Sequence, residues 1–379
     1  MALALAPDVL RKLSESLRVV LVSGTNGKTT TTRFIAAILS GEGGAVSNGT
    51  GANMPAGIVN ALAERGRARY SVLEVDERYL PSLNDGISAE TVVLLNLSRD
   101  QLDRNPETFL LARQWRDALE RASRTTVVAN CNDPQVCWAA SAARRVVWVA
   151  VEGEWKGDSR WCPSCRGLLT QAQGGVWNCA YCELKRPVPD WVLCGDQLIC
   201  ARTMEATKIS LALPGRINMS NAAMALVTGA SLGVLPSVGS SRLRDVASVA
   251  GRYEIFEVWG RRVRLLLAKN PASWAETFSV LDGTSAVLLV LNARELDGRD
   301  TSWIWDVDFG ALNRAELFLA GERHLDMAAR LEMNGVSFRL VSSLREACEL
   351  ASPGILDVVA NYTGFLELIK HLRLEAVQT

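Results

Sequence analysis

The first half of the chain alternates short apolar runs with segments of helical periodicity. The apolar runs predict buried strands over residues 19–22, 70–75, 91–95, 125–129 and 145–151. The segments between them predict helices over residues 28–39, 54–65 and 106–121. Strands that alternate with helices are typical of a parallel sheet that helices cover on both faces. We therefore expect a doubly wound α/β domain, whose ligands bind beyond the carboxyl ends of the strands.

Two changes in composition divide the rest of the chain. Residues 155–191 are rich in Trp, Cys, Gly and Pro, and we interpret them as an insertion into the first domain. Helical spacing returns over residues 218–232, and the Pro, Gly and Ser residues of 233–241 predict a linker. The remainder predicts a hairpin around Gly260, helices over 271–281, 321–334 and 344–350, and a strand over 285–291. We expect two domains, residues 1–250 and a second α/β domain at 251–379.

The residues after the first strand have the order of a phosphate-binding loop, with a glycine turn and then Lys-Thr at a helix start. These residues are Gly24, Thr25, Asn26, Gly27, Lys28, Thr29 and Thr30. In such a loop, backbone N–H groups and the helix dipole face a polyphosphate, the lysine reaches its terminal phosphates, and the first threonine binds Mg²⁺. The spacing departs from the full Walker A pattern, whose first glycine would fall at Val22. A Gly-Lys turn before an ordinary helix is the alternative.

Polar residues also follow the other predicted strands. Glu74 ends a buried strand, where a carboxylate is unfavourable unless it meets a cation. Mg²⁺ beside the phosphate-binding loop would provide that partner, and a surface carboxylate at a strand end is the alternative. We expect Asp76 and Glu77 to be solvated or to face a substrate. The stretches NLSRDQLDR (96–104) and NCNDP (130–134) fit either a ligand-binding role or an ordinary capped helix start and Asx-Pro turn.

Four of the nine cysteines form two CxxC pairs separated by thirteen residues: Cys162, Cys165, Cys179 and Cys182. Four thiolates bind zinc tetrahedrally, and this spacing is typical of a zinc ribbon. Because four protein ligands leave no open position, we predict a structural zinc site; a redox pair or an iron–sulfur site is the alternative. The other five cysteines are scattered, and an odd total without an export signal favours a reducing compartment over a disulfide framework.

Charge and hydropathy exclude several classes of partner. The chain has 41 basic and 41 acidic residues, so its net charge does not indicate binding to nucleic acid or to an anionic surface. The N-terminal residues lack the basic and apolar segments of a secretory signal. No apolar run approaches the roughly 18 residues that a membrane-spanning helix needs. We therefore expect a soluble cytoplasmic protein.

Several motifs, in their order along the chain, resemble those of the Mur ligases of bacterial cell-wall synthesis. They are SGTNGKTTTT (23–32), VLEVDE (72–77), NLSRDQLDR (96–104), NCNDP (130–134), GRINMSNAAMAL (215–226) and GRYE (251–254). The four-cysteine insertion, TGANM (50–54) and NARELDGRDTSWIWDVDF (292–309) narrow the match to the ligase-like subunits of lipid II isoglutaminyl synthases. The resemblance implies a central P-loop domain with a doubly wound parallel sheet, an inserted zinc ribbon and a C-terminal α/β domain.

The resemblance also implies where ATP and Mg²⁺ bind. The lysine loop, residues 24–29, would bind ATP, and Glu74 would bind Mg²⁺. The residues that it assigns to the remainder of the nucleotide are Asn130 and Asp133 in NCNDP, either Asn218 or Asn221 near the adenine or ribose, and Arg252 of GRYE near the phosphates.

Two departures from the family pattern bear on the reaction. Gln101 stands where amino-acid-adding Mur ligases usually have a metal-binding histidine, and the chain has no lysine between Lys28 and Lys156 that could be carbamylated. Any second Mg²⁺ is therefore held differently or is absent. Both departures favour the amidating branch of the family.

In that branch, the resemblance implies that ATP phosphorylates the α-carboxylate of D-isoglutamate in the lipid II stem peptide, and that ammonia converts the acyl phosphate to D-isoglutamine. The two histidines, His324 and His371, show no glutaminase pattern. Ammonia would therefore come from a separate GatD-like glutamine amidotransferase in a heterodimer, which acts at the cytoplasmic face of the membrane. Asp297, Asp300 and Asp306 are the candidates for completing the catalytic Cys-His pair of that partner, and capping aspartates in a polar turn are the alternative.

Two other functions stay open from the sequence. One is an amino-acid-adding ligase of the Mur or folylpolyglutamate type, against which the missing lysine weighs. The other is a non-catalytic nucleotide-binding scaffold whose zinc ribbon docks a partner.

Overall fold

The computed structural model describes residues 8–48, 52–64, 66–98, 108–151, 160–172, 175–213, 215–246, 253–281, 286–295 and 297–378. These residues form two compact units, one from residue 8 to residue 246 and one from residue 253 to residue 378. Each unit is built on its own main sheet. None of the described helices has the length and hydrophobicity of a membrane-spanning segment.

The first unit is built on a nine-stranded sheet. The strands of this unit are β1 (Arg18–Ser23), β2 (Ala45–Ser47), β3 (Tyr70–Glu74), β4 (Thr91–Leu94), β5 (Thr126–Asn130), β6 (Arg145–Ala150), β7 (Leu169–Gln171), β8 (Trp177–Cys179), β9 (Trp191–Cys194), β10 (Gln197–Cys200) and β11 (Ala206–Lys208). The sheet has the order β11-β10-β9-β6-β5-β4-β1-β3-β2, and β7 and β8 pair separately. Along this order, the seven strands from β2 to β9 (β2, β3, β1, β4, β5, β6 and β9) pair in parallel. Strands β9, β10 and β11 pair antiparallel.

Helices cover both faces of this sheet. They are α1 (Val9–Ser14), α2 (Lys28–Ser40), α3 (Pro55–Ala63), α4 (Leu80–Ile87), α5 (Thr108–Arg121), α6 (Pro134–Ala140), α7 (Arg216–Ser231) and α8 (Pro236–Leu243). Side chains of α1, α3, α4, α5 and α6 pack in one hydrophobic cluster with alternate residues of the central strands, such as Leu21 and Leu73. Strands covered on both faces read as continuous apolar runs, which is why the sequence predicts them well.

The structure corrects one prediction in the first unit and adds strands that the sequence does not predict. Helix α8 begins inside the predicted linker at 233–241 and ends at Leu243, and strands β2, β9, β10 and β11 were not among the predicted elements. In α8, Pro236 starts the helix, and a Cβ on Gly239 would crowd Leu226 of α7. The small residues there serve close packing between helices, which composition alone does not distinguish from a flexible linker.

The second unit has a six-stranded sheet in the order β12-β13-β17-β14-β15-β16. Its strands are β12 (Tyr253–Val258), β13 (Arg261–Leu267), β14 (Ala286–Val290), β15 (Glu316–Ala320), β16 (Arg339–Leu340) and β17 (Leu356–Ala360). Its helices are α9 (Pro271–Val280), α10 (His324–Met333), α11 (Leu344–Leu350) and α12 (Tyr362–Gln378). The predicted hairpin is the antiparallel pair β12 and β13, whereas the other strands pair in parallel.

Candidate functional site

The phosphate-binding loop lies between β1 and α2, and its backbone is held by the segment that follows β4. Thr25 donates its backbone N–H to Asn96 O at 2.9 Å, and Asn26 donates its own to Asn96 Oδ1 at 2.9 Å. Gly24 and Gly27 have φ values of +146° and +84°, a region that favours glycine. Helix α2 begins at Lys28, so the positive end of its dipole adjoins the loop.

Lys28 makes a buried ion pair that the sequence did not predict. Its Nζ lies 3.1 Å from Oε2 of Glu77, and it also donates to the carbonyl oxygens of Gly24 at 2.5 Å and Thr25 at 3.2 Å. Glu77 is therefore not solvated as expected, and whether it faces a substrate stays a prediction. Its side chain is 8% exposed, and Trp115 of α5 donates its indole N–H to Glu77 O at 2.8 Å. These two contacts keep the carboxylate turned towards the loop.

Glu74 ends β3, beside Val22 of β1, at the same edge of the sheet as the loop. It is 1% exposed. Asn48 pairs with its backbone through two hydrogen bonds of 2.7 and 2.8 Å, and Asn53 reaches Oε1 at 3.4 Å. No described residue donates a hydrogen bond to Oε2. A buried carboxylate oxygen without a donor is costly, and it matches the hard oxygen ligands that Mg²⁺ prefers.

The turn between β5 and α6 carries Asn130 and Asp133, two of the residues assigned to the nucleotide. Asn130 Nδ2 donates to Leu95 O at 2.9 Å. Asp133 caps α6 by accepting from the backbone N–H groups of the first turn, and its Oδ2 accepts from Leu97 N at 2.7 Å. Both side chains thus attach the turn to the segment after β4. That segment also contains Asn96, so the turn and the phosphate-binding loop share one support.

Helix α7 brings Asn221 against the loop. A Cβ on Gly27 would lie 2.4 Å from Oδ1 of Asn221, so the two residues are close neighbours, and the positive φ of Gly27 favours glycine there. Asn221 is buried, and Asn218 lies one turn earlier and is half-buried. The structure therefore brings Asn221 to the phosphate-binding loop.

Thr29 and Thr30 lie in the first turn of α2, and both are buried. Two residues named from the family pattern, Gln101 and Arg252, lie outside the described residues.

The four-cysteine cluster has the geometry of a metal site. The sulfur atoms of Cys162, Cys165, Cys179 and Cys182 all lie within 4.8 Å of one another. The separations are 3.7 Å between the sulfurs of Cys162 and Cys182 and 3.4 Å between those of Cys165 and Cys179. Thiolates at about 2.3 Å from a tetrahedral zinc ion lie about 3.8 Å apart. The donor set and its spacing therefore fit zinc.

Backbone N–H groups support these sulfurs as in a metal knuckle. Gly167 donates to Cys165 at 3.4 Å and Tyr181 donates to Cys179 at 3.3 Å. Burial raises the pKa of the Cys162 thiol to about 12. For Cys179, burial is outweighed by donation from Tyr181 and from the neighbouring thiols, which lowers its pKa to about 7. A bound cation would stabilise all four thiolates together.

The three candidate aspartates of the second unit have different surroundings. Asp297 is buried, and it accepts from the backbone N–H of Thr363 at 2.9 Å, from the Thr363 hydroxyl, and from Arg294 N at 3.2 Å. Asp300 is exposed, and the N–H of Ser302 at 2.8 Å lowers the pKa of its carboxyl. Asp306 is exposed at the end of a short 3₁₀ helix, Ser302–Asp306. Asp297 is thus already engaged in joining its loop to α12.

Comparison with known proteins places these features in a family. The sequence model described as Mur ligase middle domain matches residues 22–156, and the one described as MurT ligase C-terminal matches residues 267–365. A Streptococcus pneumoniae protein named lipid II isoglutaminyl synthase (glutamine-hydrolyzing) subunit MurT is 30% identical over 363 residues, 88% of this chain and 81% of the relative. A Staphylococcus aureus protein of the same name is 28% identical over 393 residues, 96% and 90% of the two chains.

Solved structures with the same fold come from more distant relatives. A pseudomurein peptide ligase type C from Methanothermus fervidus has a TM-score of 0.72 at 18% identity, over 94% of this chain and 79% of that chain. MurF ligase from Thermotoga maritima, solved in complex with ADP, has a TM-score of 0.65 at 14% identity, over 100% and 85%. These likenesses confirm the predicted Mur ligase-type α/β fold.

Proposed function

Because the chain belongs to the MurT family of Mur ligases, we propose that it is the ATP-dependent ligase subunit of a lipid II isoglutaminyl synthase. The observation that carries this proposal is the pairing of a glycine-lysine loop with a buried carboxylate oxygen of Glu74 that has no described donor. The loop suits the phosphates of ATP, and the carboxylate suits Mg²⁺.

The reaction amidates the α-carboxylate of D-isoglutamate in the lipid II stem peptide. A carboxylate is a poor electrophile, so one of its oxygens first receives the terminal phosphoryl group of ATP. Ammonia then attacks the carbonyl carbon, the C–N bond forms, the C–O bond to phosphate breaks, and inorganic phosphate leaves with that oxygen. The product is D-isoglutamine.

We assign the charge-bearing part of this reaction to the loop and its neighbours. Lys28 stabilises the negative charge of the transferring phosphoryl group. Thr29 and Glu74 would hold Mg²⁺, which would offset the negative charge of the phosphates. Gly24, Thr25, Asn26, Gly27 and Thr30 would contact the phosphates, and the family resemblance adds Arg252 there. Asn130, Asp133 and either Asn218 or Asn221 would contact the adenosine. Asn221 is the stronger of the two helix candidates, because it packs against Gly27.

The four cysteines bind one structural Zn²⁺ in this proposal. Four thiolates complete a tetrahedral shell, which leaves no position for a substrate.

Ammonia comes from a separate glutaminase subunit of the GatD type, and the two subunits form a heterodimer. One aspartate of the second unit orients the catalytic histidine of that partner. Asp300 and Asp306 are the candidates that support such a role, because both are exposed. The carboxylate of Asp297 is buried and accepts three hydrogen bonds within its own unit. We propose that the complex works in the cytoplasm, at the membrane face where it reaches lipid II.

The product distinguishes this function from the two alternatives. Purified chain is incubated with lipid II, Mg-ATP and either ammonium or single amino acids, and the products are weighed by mass spectrometry. If the chain is an amidating ligase, ammonium is the only added nitrogen source that gives a product, and in this product an amino group has replaced the hydroxyl of the substrate carboxyl group. A product that has gained an amino-acid residue would show that the chain is an amino-acid-adding ligase. If no product forms under any condition, even with the glutaminase partner present, the result would favour a non-catalytic scaffold.

A further inference from the structure

The zinc ribbon rests on the turn between β5 and α6, through one buried aromatic side chain. Trp177, on β8, is 1% exposed and packs with Cys131 and Cys137 of that turn and helix. Its indole N–H donates to Cys131 O at 3.1 Å. A tryptophan whose ring and polar atom are both engaged fixes the ribbon against this part of the chain.

A second contact joins the ribbon to the turn through an arginine. Arg186 lies four residues after the last cysteine, and its Nε donates to Asn132 Oδ1 at 2.8 Å. The backbone N–H of Arg186 bonds Trp177 O at 2.9 Å, so the two contacts belong to one rigid piece. The other end of the Asn132 amide donates to Val151 O. The Asn132 side chain is therefore held from both sides.

Asn132 passes this restraint to the residues assigned to the nucleotide. Its backbone N–H donates to Asn130 Oδ1 at 2.9 Å, and Asn130 in turn donates to Leu95 O. The next residue after Leu95 is Asn96, which holds the backbone of Asn26 in the phosphate-binding loop. The hydrogen bonds from Arg186 therefore restrain the turn, whereas the phosphate-binding loop is held by its own hydrogen bonds to Asn96.

Arg166, the residue after Cys165, contacts the flank of the same turn. The guanidinium of Arg166 lies 3.5 Å from the centre of the Phe109 ring on α5. Phe109 stacks on Trp138 of α6 at 5.7 Å between ring centres. Both halves of the ribbon therefore touch elements that border the turn, and a two-stranded ribbon of this size depends on its metal for a fixed shape.

We propose that Arg186 is a positioning residue for the nucleotide site: the metal-bound ribbon holds Asn132, and thereby the turn at 130–134, in the conformation that binds the adenosine part of ATP. This inference rests on the proposed function, since it takes the turn to face the nucleotide. It assigns the ribbon a role in ATP affinity in place of a purely architectural one.

The test compares Arg186→Ala with Lys185→Ala, a neighbouring exposed ribbon residue. Dissociation constants of Mg-ATP and of Mg-tripolyphosphate are measured by calorimetry on the full chain, with zinc content and melting temperature as controls. We expect Arg186→Ala to retain zinc and to bind ATP roughly tenfold more weakly. Tripolyphosphate affinity should not change, because the loop itself is intact. Arg186→Lys, which restores a charged donor, should recover part of the ATP affinity.

Three outcomes are informative against the inference. It is overturned if Arg186→Ala binds ATP as tightly as Lys185→Ala does, or if ATP and tripolyphosphate weaken equally. The double variant Arg186→Ala/Asn132→Ala should bind ATP no more weakly than the weaker-binding single variant does. If the losses of ATP-binding free energy in the two single variants add up in the double variant, the inference is also overturned. Failure of the wild-type chain to bind ATP at all would instead reject the proposed function on which the inference rests.

Discussion

Lys28 and Glu77 form a buried ion pair at the phosphate-binding loop, with 3.1 Å between Nζ and Oε2. Their side chains are 4% and 8% exposed. Removing one partner of such a pair leaves a buried charge without compensation, which is strongly destabilising. The pair therefore fixes the Lys28 side chain at the phosphate-binding loop.

The first prediction concerns Glu77→Gln, which removes the charge and keeps the shape. We expect the free energy of unfolding to fall by about 2 kcal/mol or more, because Lys28 loses the charged carboxylate of Glu77 in a buried position. Saturating Mg-ATP should recover much of this loss, since its phosphates supply negative charge and bind the folded state alone. Urea unfolding with and without Mg-ATP measures both effects. The exposed Glu64→Gln is the control, and equal stability of the two variants would refute the prediction.

The second prediction concerns Glu74→Gln. The Glu74 Oε2 atom is buried and has no described donor, so the neutral amide should leave stability unchanged or slightly raise it in the absence of Mg²⁺. The Mg²⁺ concentration that half-activates the ligase should rise at least roughly tenfold, because a charged ligand is lost. Measuring ligase activity as a function of Mg²⁺ concentration tests the Mg²⁺ requirement, and thermal unfolding tests the stability. A variant that is less stable but has an unchanged Mg²⁺ requirement would assign Glu74 a structural role.

The third prediction separates the aspartates. Asp297→Asn should lower the stability of the chain by about 1–3 kcal/mol, since an amide nitrogen would meet the N–H donors of Thr363 or Arg294. Asp300→Asn and Asp306→Asn should leave stability within about 0.5 kcal/mol, because both side chains are exposed.

One of these two exposed variants should abolish most of the glutaminase activity of the complex with its partner. Glutamate release by the reconstituted complex is the measurement. Full glutaminase activity in both Asp300→Asn and Asp306→Asn would contradict the assignment.

The fourth prediction concerns the metal. Chain purified without chelators should contain one equivalent of zinc, and removal of that zinc should expose four more thiols to a thiol reagent. Cys182→Ser should lose the metal. Fewer than about half an equivalent of zinc in the wild-type chain would count against the site, and iron in its place would indicate the iron–sulfur alternative.

The sequence predicts those parts of the site whose physical requirements lie in neighbouring residues. The phosphate-binding loop is predicted because a strand, two glycines and Lys-Thr occur within one short stretch. The metal cluster is predicted from the spacing of the cysteines. Glu77 could not be predicted as the partner of Lys28, because a contact across 49 positions in sequence brings them together. The same holds for Asn96 with Asn26, 70 positions apart, and for Arg186 with Asn132, 54 apart.

The fold shows the same limit. Strands buried on both faces are evident as apolar runs, whereas short strands such as β2 and β11 have few residues to form a pattern. Helix α8 has the composition of a linker, and its helical state comes from packing against α7. The amino-acid composition of a segment therefore predicts its secondary structure only where the local conformational preference of its residues agrees with the packing that the fold imposes.

The most direct test of the proposed acyl-phosphate chemistry follows the oxygen atom. Lipid II carrying ¹⁸O in the α-carboxylate of D-isoglutamate is given to the complex of this chain with its glutaminase partner, together with Mg-ATP and glutamine. The account predicts that one labelled oxygen appears in inorganic phosphate for each amide formed, and that Lys28→Ala abolishes both. Amide formation with unlabelled phosphate, or undiminished turnover in Lys28→Ala, would contradict it.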